Sequence, residues 1–187
     1  MRDLETGSEW SHLLGRAMAG ELKNRELKPI VSDMVTWAVW KQQHPQTTLL
    51  HMPTRVKHYT TEFYRKPSKF VFGFDANGST FALPMDQMLK HPVHHFQVET
   101  TQLLATFDKA GMAIHLFDPQ IEGRSLNFEV VDERLMVDRQ TKSQWELSSG
   151  RCVDGELKGE MLTQRVGIMS YRFAWENFHP DSKDVRF

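Results

Sequence analysis

Three imidazoles fall within five positions, at His91, His94 and His95. Zinc, nickel and copper take converging imidazoles, and a structural zinc site needs four protein ligands. Neighbouring side chains of a strand point to opposite faces, so only one of His94 and His95 can join His91. The rest of such a site would have to come from His115 or Asp118. The group therefore reads as loop and strand-edge histidines, and neither a metal nor another cofactor is expected. A second group, Arg55, Lys57, Arg65, Lys66 and Lys69, is interleaved with Tyr59, Phe63 and Tyr64. Cations neutralise phosphates and aromatic faces stack bases, which makes these residues the candidates for an anion contact. A solvated linker has the same composition. The formal net charge of −1 supplies no global field towards nucleic acid, which is not expected as a partner.

Nucleophile and phosphate signatures are missing: there is no Gly-x-Ser-x-Gly elbow, Gly-rich phosphate loop, HExxH or EF-hand pattern. Cys152 is the single cysteine, so neither an intrachain disulfide nor a CxxC site can form. Arg151 beside it favours a thiolate, but a small half-buried residue explains the position equally well. Polar pairs such as Asp3/Asp138, Arg16/Arg151, Glu21/Glu156, Lys23/Lys158 and His44/His179 occur twice, each pair 135 positions apart. Twice-used residues lean towards turns, caps and cross-strand pairs, because copies retain what folds them. The enzymatic alternative is a dispersed site around His91, His94, Asp138 and His179.

Those pairs belong to a longer pattern that positions them. Residues 3–47 and 138–182 align without a gap, sharing Trp10/Trp145, Gly20/Gly155, Trp40/Trp175 and Pro45/Pro180 among others. So long a match signals one folding unit used twice. Each copy opens with Asp-x-x-Thr-x-Ser-x-Trp, a polar turn leading into a strand that carries the tryptophan. Gly15-Arg16 and Gly150-Arg151 make a second turn, and Glu-Leu-Lys after Gly20 and Gly155 reads as another short strand. A helix follows, over Asp33–Gln43 with Ser32 or Asp33 as its cap, and over Ile168–Phe178. Pro45 and Pro180 end both helices. All four tryptophans are expected to be buried in equivalent places.

Between the copies, residues 53–68 read as a basic linker and 69–137 as a β-meander with strands over Lys69–Asp75, Ser79–Leu83, His95–Glu99, Gln102–Asp108, Met112–Asp118, Ser125–Val131 and Arg134–Val137. Asn77-Gly78 is a hairpin turn, since both residues tolerate positive φ. Pro84–Lys90 fits one short helix. The fold class is α+β, β-rich: a duplicated strand-turn-strand-helix unit flanks a central antiparallel β-meander. The expected units are an incomplete first repeat at 1–52, the linker at 53–68, and the meander with the second repeat at 69–187. Apolar residues make up 40% and charged residues 25% of the chain, the balance of a soluble globular protein. No apolar run reaches the roughly 18–20 residues needed to span a bilayer, and Met1–Glu5 is too polar for a secretory signal.

Phe72-Gly-Phe-Asp-Ala-Asn-Gly78, Ala82-Leu-Pro84, Gly123-Arg-Ser-Leu-Asn-Phe128, Asp138–Trp145, Gly155-Glu-Leu-Lys-Gly159 and Phe173–Asp181 occur in the order seen in a bacterial and archaeal family. From about Lys69 onward the chain resembles this family, the domain of unknown function 3179. Thr6-Gly-Ser-Glu-Trp10 and Trp37–Pro45 are similar to the family's earlier stretch. The resemblance implies a further β-rich segment ahead of the first repeat, with a Cys-Pro-Leu-Cys motif that this sequence does not contain. It implies no activity.

The favoured reading is a non-catalytic binding or interaction module of unknown ligand, ahead of an enzyme or metal-dependent protein with the dispersed site. Only two residues precede Asp3, so the first repeat lacks the sheet that the second one has. Exposed edges and apolar patches invite pairing. Residues 3–47 are therefore expected either to dock on the 69–137 sheet or to pair two chains in a homodimer, with the homodimer favoured.

Overall fold

The computed structural model describes residues 1–49 and 65–187. The first strands, β1 (Glu9–Ser11) and β2 (Arg16–Ala19), pair antiparallel, and helix α1 (Trp37–Gln43) follows an extended stretch. After a 3-10 turn at Pro67–Lys69 come β3 (Phe70–Ala76) and β4 (Ser79–Pro84), joined through Asn77-Gly78 with positive φ at both residues. The hairpin signal in the sequence works because those two residues accept that backbone. Helix α2 (Met85–Met88) is a single buried turn leading to β5 (Val93–Val98), β6 (Thr101–Asp108) and β7 (Ala113–Asp118).

The short pair β8 (Gln120–Ile121) and β9 (Arg124–Ser125) precedes β10 (Phe128–Val130), β11 (Leu135–Asp138), β12 (Gln144–Glu146) and β13 (Cys152–Asp154), which form one antiparallel sheet in chain order. The last elements are β14 (Thr163–Gln164), β15 (Ile168–Tyr171), α3 (Arg172–Phe178) and β16 (Lys183–Asp184).

The chain is β-rich α+β, as its alternation patterns predict, but the centre is divided. One sheet runs β15-β3-β4-β16 and the other β14-β7-β6-β5. The pairings are antiparallel except β16 on β4, which is parallel. Both sheets contribute to one core, with Phe70, Phe72, Phe74 and Leu83 from the first and Leu103, Phe107, Ile114 and Leu116 from the second. A second core joins Leu104 and Phe117 to Phe128, Met136, Trp145 and Leu162. The Ser125–Val131 strand is broken at Leu126-Asn127, where buried Leu126 turns into this second core.

Two local expectations are corrected. Each helix begins four residues later than its apolar stripe suggests. Ile168–Tyr171 is spent pairing with β3, and Asp33, read as a cap, is bonded to His115 instead. Neither helix has a side-chain cap. Glu21–Asn24 and Glu156–Gly159 are turns rather than strands, following Gly20 and Gly155 at φ +94° and +98°. A Cβ on either glycine would lie within 2.8 Å of Ser8 or Ser143, so the close approach requires glycine.

Candidate functional site

Asp3 and Asp138 are bound in the same way. The Trp10 indole N–H donates to Asp3 at 2.9 Å and the Trp145 indole to Asp138 at 3.0 Å. Thr6 and Thr141 each donate both backbone N–H and hydroxyl to their aspartate. The hydroxyl of Ser8 accepts from the Leu22 N–H at 3.1 Å, and that of Ser143 from the Leu157 N–H at 3.1 Å. Donors converging on a carboxylate favour its charged form. The Trp10 and Thr6 bonds lower Asp3 to about 2. Burial opposes the charge on Asp138, yet Thr141, Trp145 and Ser143 together still hold it below the usual range. These aspartates fix a turn and an indole; their lone pairs are committed.

The helices agree in the same detail. The Trp40 and His44 rings lie 4.0 Å apart in a tilted arrangement, and Trp175 stacks against His179 at 4.0 Å. Their indoles donate to Thr47 at 3.0 Å and to Ser182 at 2.7 Å. What differs is the cover. Trp145 and Trp175 are 0% and 2% exposed, whereas Trp10 and Trp40 are only half-buried, so the expectation of equal burial does not hold. Phe128 stands edge-on to Trp145, and Trp175 lies against Gly73, where a Cβ would come within 2.4 Å of the ring. Among the described residues, Trp10 and Trp40 have no such neighbour. Trp37 is 46% exposed and Ile30 77%.

Beside Trp10 lies a hollow of about 560 Å³ lined by Met1, Trp10, Leu13, Met18 and Phe178 among others. A longer cleft of about 860 Å³ runs between residues 12–32, strand β3 and the stretch 163–168. Several contacts join the N-terminal segment to the body. Leu13 packs on Val71, Ala82 and Trp175. The Thr36 N–H donates to the Gly111 carbonyl at 3.0 Å. Asp33 lies 3.0 Å from Nδ1 of buried His115 and accepts from Gln164 at 2.8 Å. The His115 contact keeps the Asp33 carboxyl below its usual range. Nε2 of His115 is buried with no hydrogen-bond partner. This tie between residues 82 positions apart left no local signal in the sequence.

The remaining candidates are placed as follows. His94 and His95 occupy neighbouring positions of β5. Nε2 of His94 is 2.9 Å from the Arg186 carbonyl, and its ring stacks on Phe187 at 4.1 Å. Nε2 of His95 accepts from the Phe128 N–H at 2.8 Å. Burial lowers the pKa of both. His91 lies 5.8 Å from the Phe187 ring. Among the described residues no three His, Cys, Asp or Glu side chains are arranged to hold a metal. His179 is packed on Trp175 with Nε2 buried and unpartnered. Asp118, named as a further ligand, binds Arg165 at 2.9 Å. Cys152 is buried, which raises its thiol pKa. Arg55 and Lys57 lie outside the described residues; Arg65 is exposed, and Lys66 and Lys69 flank and close the 3-10 turn. No helix among the described residues is long and apolar enough to cross a membrane.

No curated protein and no solved structure matches the chain. Residues 1–182 match the family described as protein of unknown function DUF3179, in line with the resemblance carried by the glycine, tryptophan and His-Pro motifs. With nearly its whole length matched, the chain belongs to the DUF3179 family.

Proposed function

We propose that the protein is a non-catalytic interaction module that binds through the face of its N-terminal segment around Trp10, Trp37 and Trp40. One observation carries this reading: the same indole–aspartate and indole–histidine arrangements occur at both ends, but Trp145 and Trp175 are buried while Trp10 and Trp40 are only half-buried. Met18, Ile30, Val31, Met34 and Trp37 of this segment are exposed, and large exposed apolar surface marks interaction sites. The titratable groups at the repeated turns are committed to holding those turns, which favours a binding role over a catalytic one for Asp138. The reading includes residues 3–47 and 138–182 as two copies of one unit, supported by their matching bonds 135 residues apart. The units are 1–52, 53–68 and 69–187.

Anilinonaphthalene sulfonate, which fluoresces on exposed apolar surface, tests the reading. Saturable dye binding by the folded chain, lost in Met18→Lys with Phe178→Lys and kept in Phe173→Lys, is the expected result. Equal binding by all three chains, or none by the wild type, contradicts it. Pairing of two copies through this face is the second reading, favoured by its apolar character. Light scattering over a concentration series separates a dimer from a monomer.

A further inference from the structure

We propose that the cleft of about 860 Å³ along the free edge of β3 binds a small organic cation, an apolar body bearing an ammonium or guanidinium group. The site goes beyond the interaction face at Trp10 and Trp37, neither of which lines it. Its opening follows from how two strands part. Strand β15 pairs with β3 only as far as Ile168↔Gly73. The chain before it crosses to the other sheet, where the Arg165 N–H donates to the Leu116 carbonyl at 2.7 Å and Gln164 pairs with Phe117 of β7. Residues 74–76 therefore have β4 on one side and no strand on the other among the described residues. Ala76↔Ser79 closes the two-residue hairpin, and hydrogen-bonding direction alternates along a strand, so the N–H and carbonyl of Asp75 point into the gap. The floor is made by Phe74, Leu103 and Leu116, which belong to the core between the sheets. Small-molecule sites have roughly 300–1,000 Å³ and join an apolar floor to a few polar groups.

Hydrogen bonding in the lining decides the class of ligand. Its side-chain N–H groups are largely spent. Asn77 donates to the Val98 carbonyl and to the Thr101 hydroxyl, both at 3.2 Å, and Gln164 donates to Asp33 at 2.8 Å. The Trp175 indole donates to Ser182, and the charge of Arg165 is matched by Asp118 at 2.9 Å. The acceptors are open. Asp75 and Glu26 are exposed, and neither carboxylate has a hydrogen bond or ion pair with a described residue. His12 is the one other ionisable side chain of the lining. Two unmatched carboxylates beside one matched guanidinium give the cleft a negative potential, which draws in a cation and disfavours an anion. A cationic donor at Asp75 meets a carboxylate and an unpaired backbone carbonyl of the same residue, and charge-assisted bonds of this kind are the stronger ones.

Tryptamine, tryptophol and indolepropionate are the probes: one indole body ending in a cation, a neutral hydroxyl or an anion. Each is titrated into the full chain while backbone amides are followed by NMR. The expected result is saturable tryptamine shifts at Asp75, Ala76 and Gly167, with tryptophol binding about tenfold more weakly and indolepropionate more weakly still. Asp75→Asn with Glu26→Gln, both exposed positions, should bring tryptamine to the level of tryptophol. No saturable tryptamine shift overturns the proposal. So do equal affinities for the three probes, shifts at Trp10 and Met18 in place of Asp75, and tryptamine binding undiminished in the double variant. Anilinonaphthalene sulfonate binding without tryptamine binding removes the cleft site and leaves the interaction module standing; tryptamine binding without dye binding does the reverse.

Discussion

The ring of Phe128 meets the Trp145 indole edge-on, centroids 5.6 Å apart and planes at 89°. Both rings are buried, and Met136 and Leu147 complete the surroundings. Replacing Phe128 with Ala removes a large buried side chain and leaves a space that the sheet fills only partly. A cost of about 3–5 kcal/mol is expected in urea unfolding, with an unchanged slope. A cost under about 1 kcal/mol contradicts the packing described.

Gly73 lies beneath Trp175. A Cβ there would fall 2.4 Å from the indole, so Gly73→Ala must displace the ring or the helix that carries it. Overpacking of this kind costs about 1–3 kcal/mol. A shift in Trp175 emission should accompany it, and a chain as stable as the wild type with unshifted emission would exclude the contact.

Asp33 ties the N-terminal segment to His115 on β7 and to Gln164. Asp33→Ala leaves the buried imidazole without its one partner, a loss of about 1–3 kcal/mol. Hydrogen exchange should quicken at Thr36, whose N–H is held by Gly111, while β6 amides keep their protection. Unchanged exchange at Thr36 would show that the tie does not hold the segment.

Acid has two effects of the same sign. Asp3 and Asp138 have folded pKa values below the unfolded value of 3.8, Asp3 at about 2. Their contribution is complete above pH 3.8 and is lost as pH falls through the folded values, about 2 for Asp3. His95 is also depressed, below the ordinary 6.5, and its Nε2 must stay unprotonated to accept the Phe128 N–H. Its contribution is present above pH 6.5 and is lost as pH falls below it. A His95→Gln chain should therefore lose part of the stability change between neutral pH and pH 5, and Asp138→Asn part of that below pH 4. Identical pH profiles in both variants and the wild type would contradict these assignments.

Much of the frame was legible in the sequence. Alternating runs predicted β3 to β7 within two residues, and Asn77-Gly78 the hairpin between β3 and β4. The twofold Asp-x-x-Thr-x-Ser-x-Trp pattern pointed to turns, and its bonds are turn bonds. The start of α3 was misread because Met169 fits a helical stripe as well as a strand; pairing with β3 decides it, and that is a long-range event. Unequal burial of the tryptophans was illegible for the same reason: Phe128 and Gly73 lie far from Trp145 and Trp175 in sequence. The Asp33–His115 tie has no spacing rule that would reveal it.

Hydroxyl-radical footprinting of the five tryptophans in dilute, folded protein tests the open face most directly. Trp10 and Trp37 are expected to oxidise readily while Trp145 and Trp175 stay protected until the chain unfolds. Protection of Trp10 equal to that of Trp145 would mean that the face is already covered, and would contradict the assignment of a binding surface there.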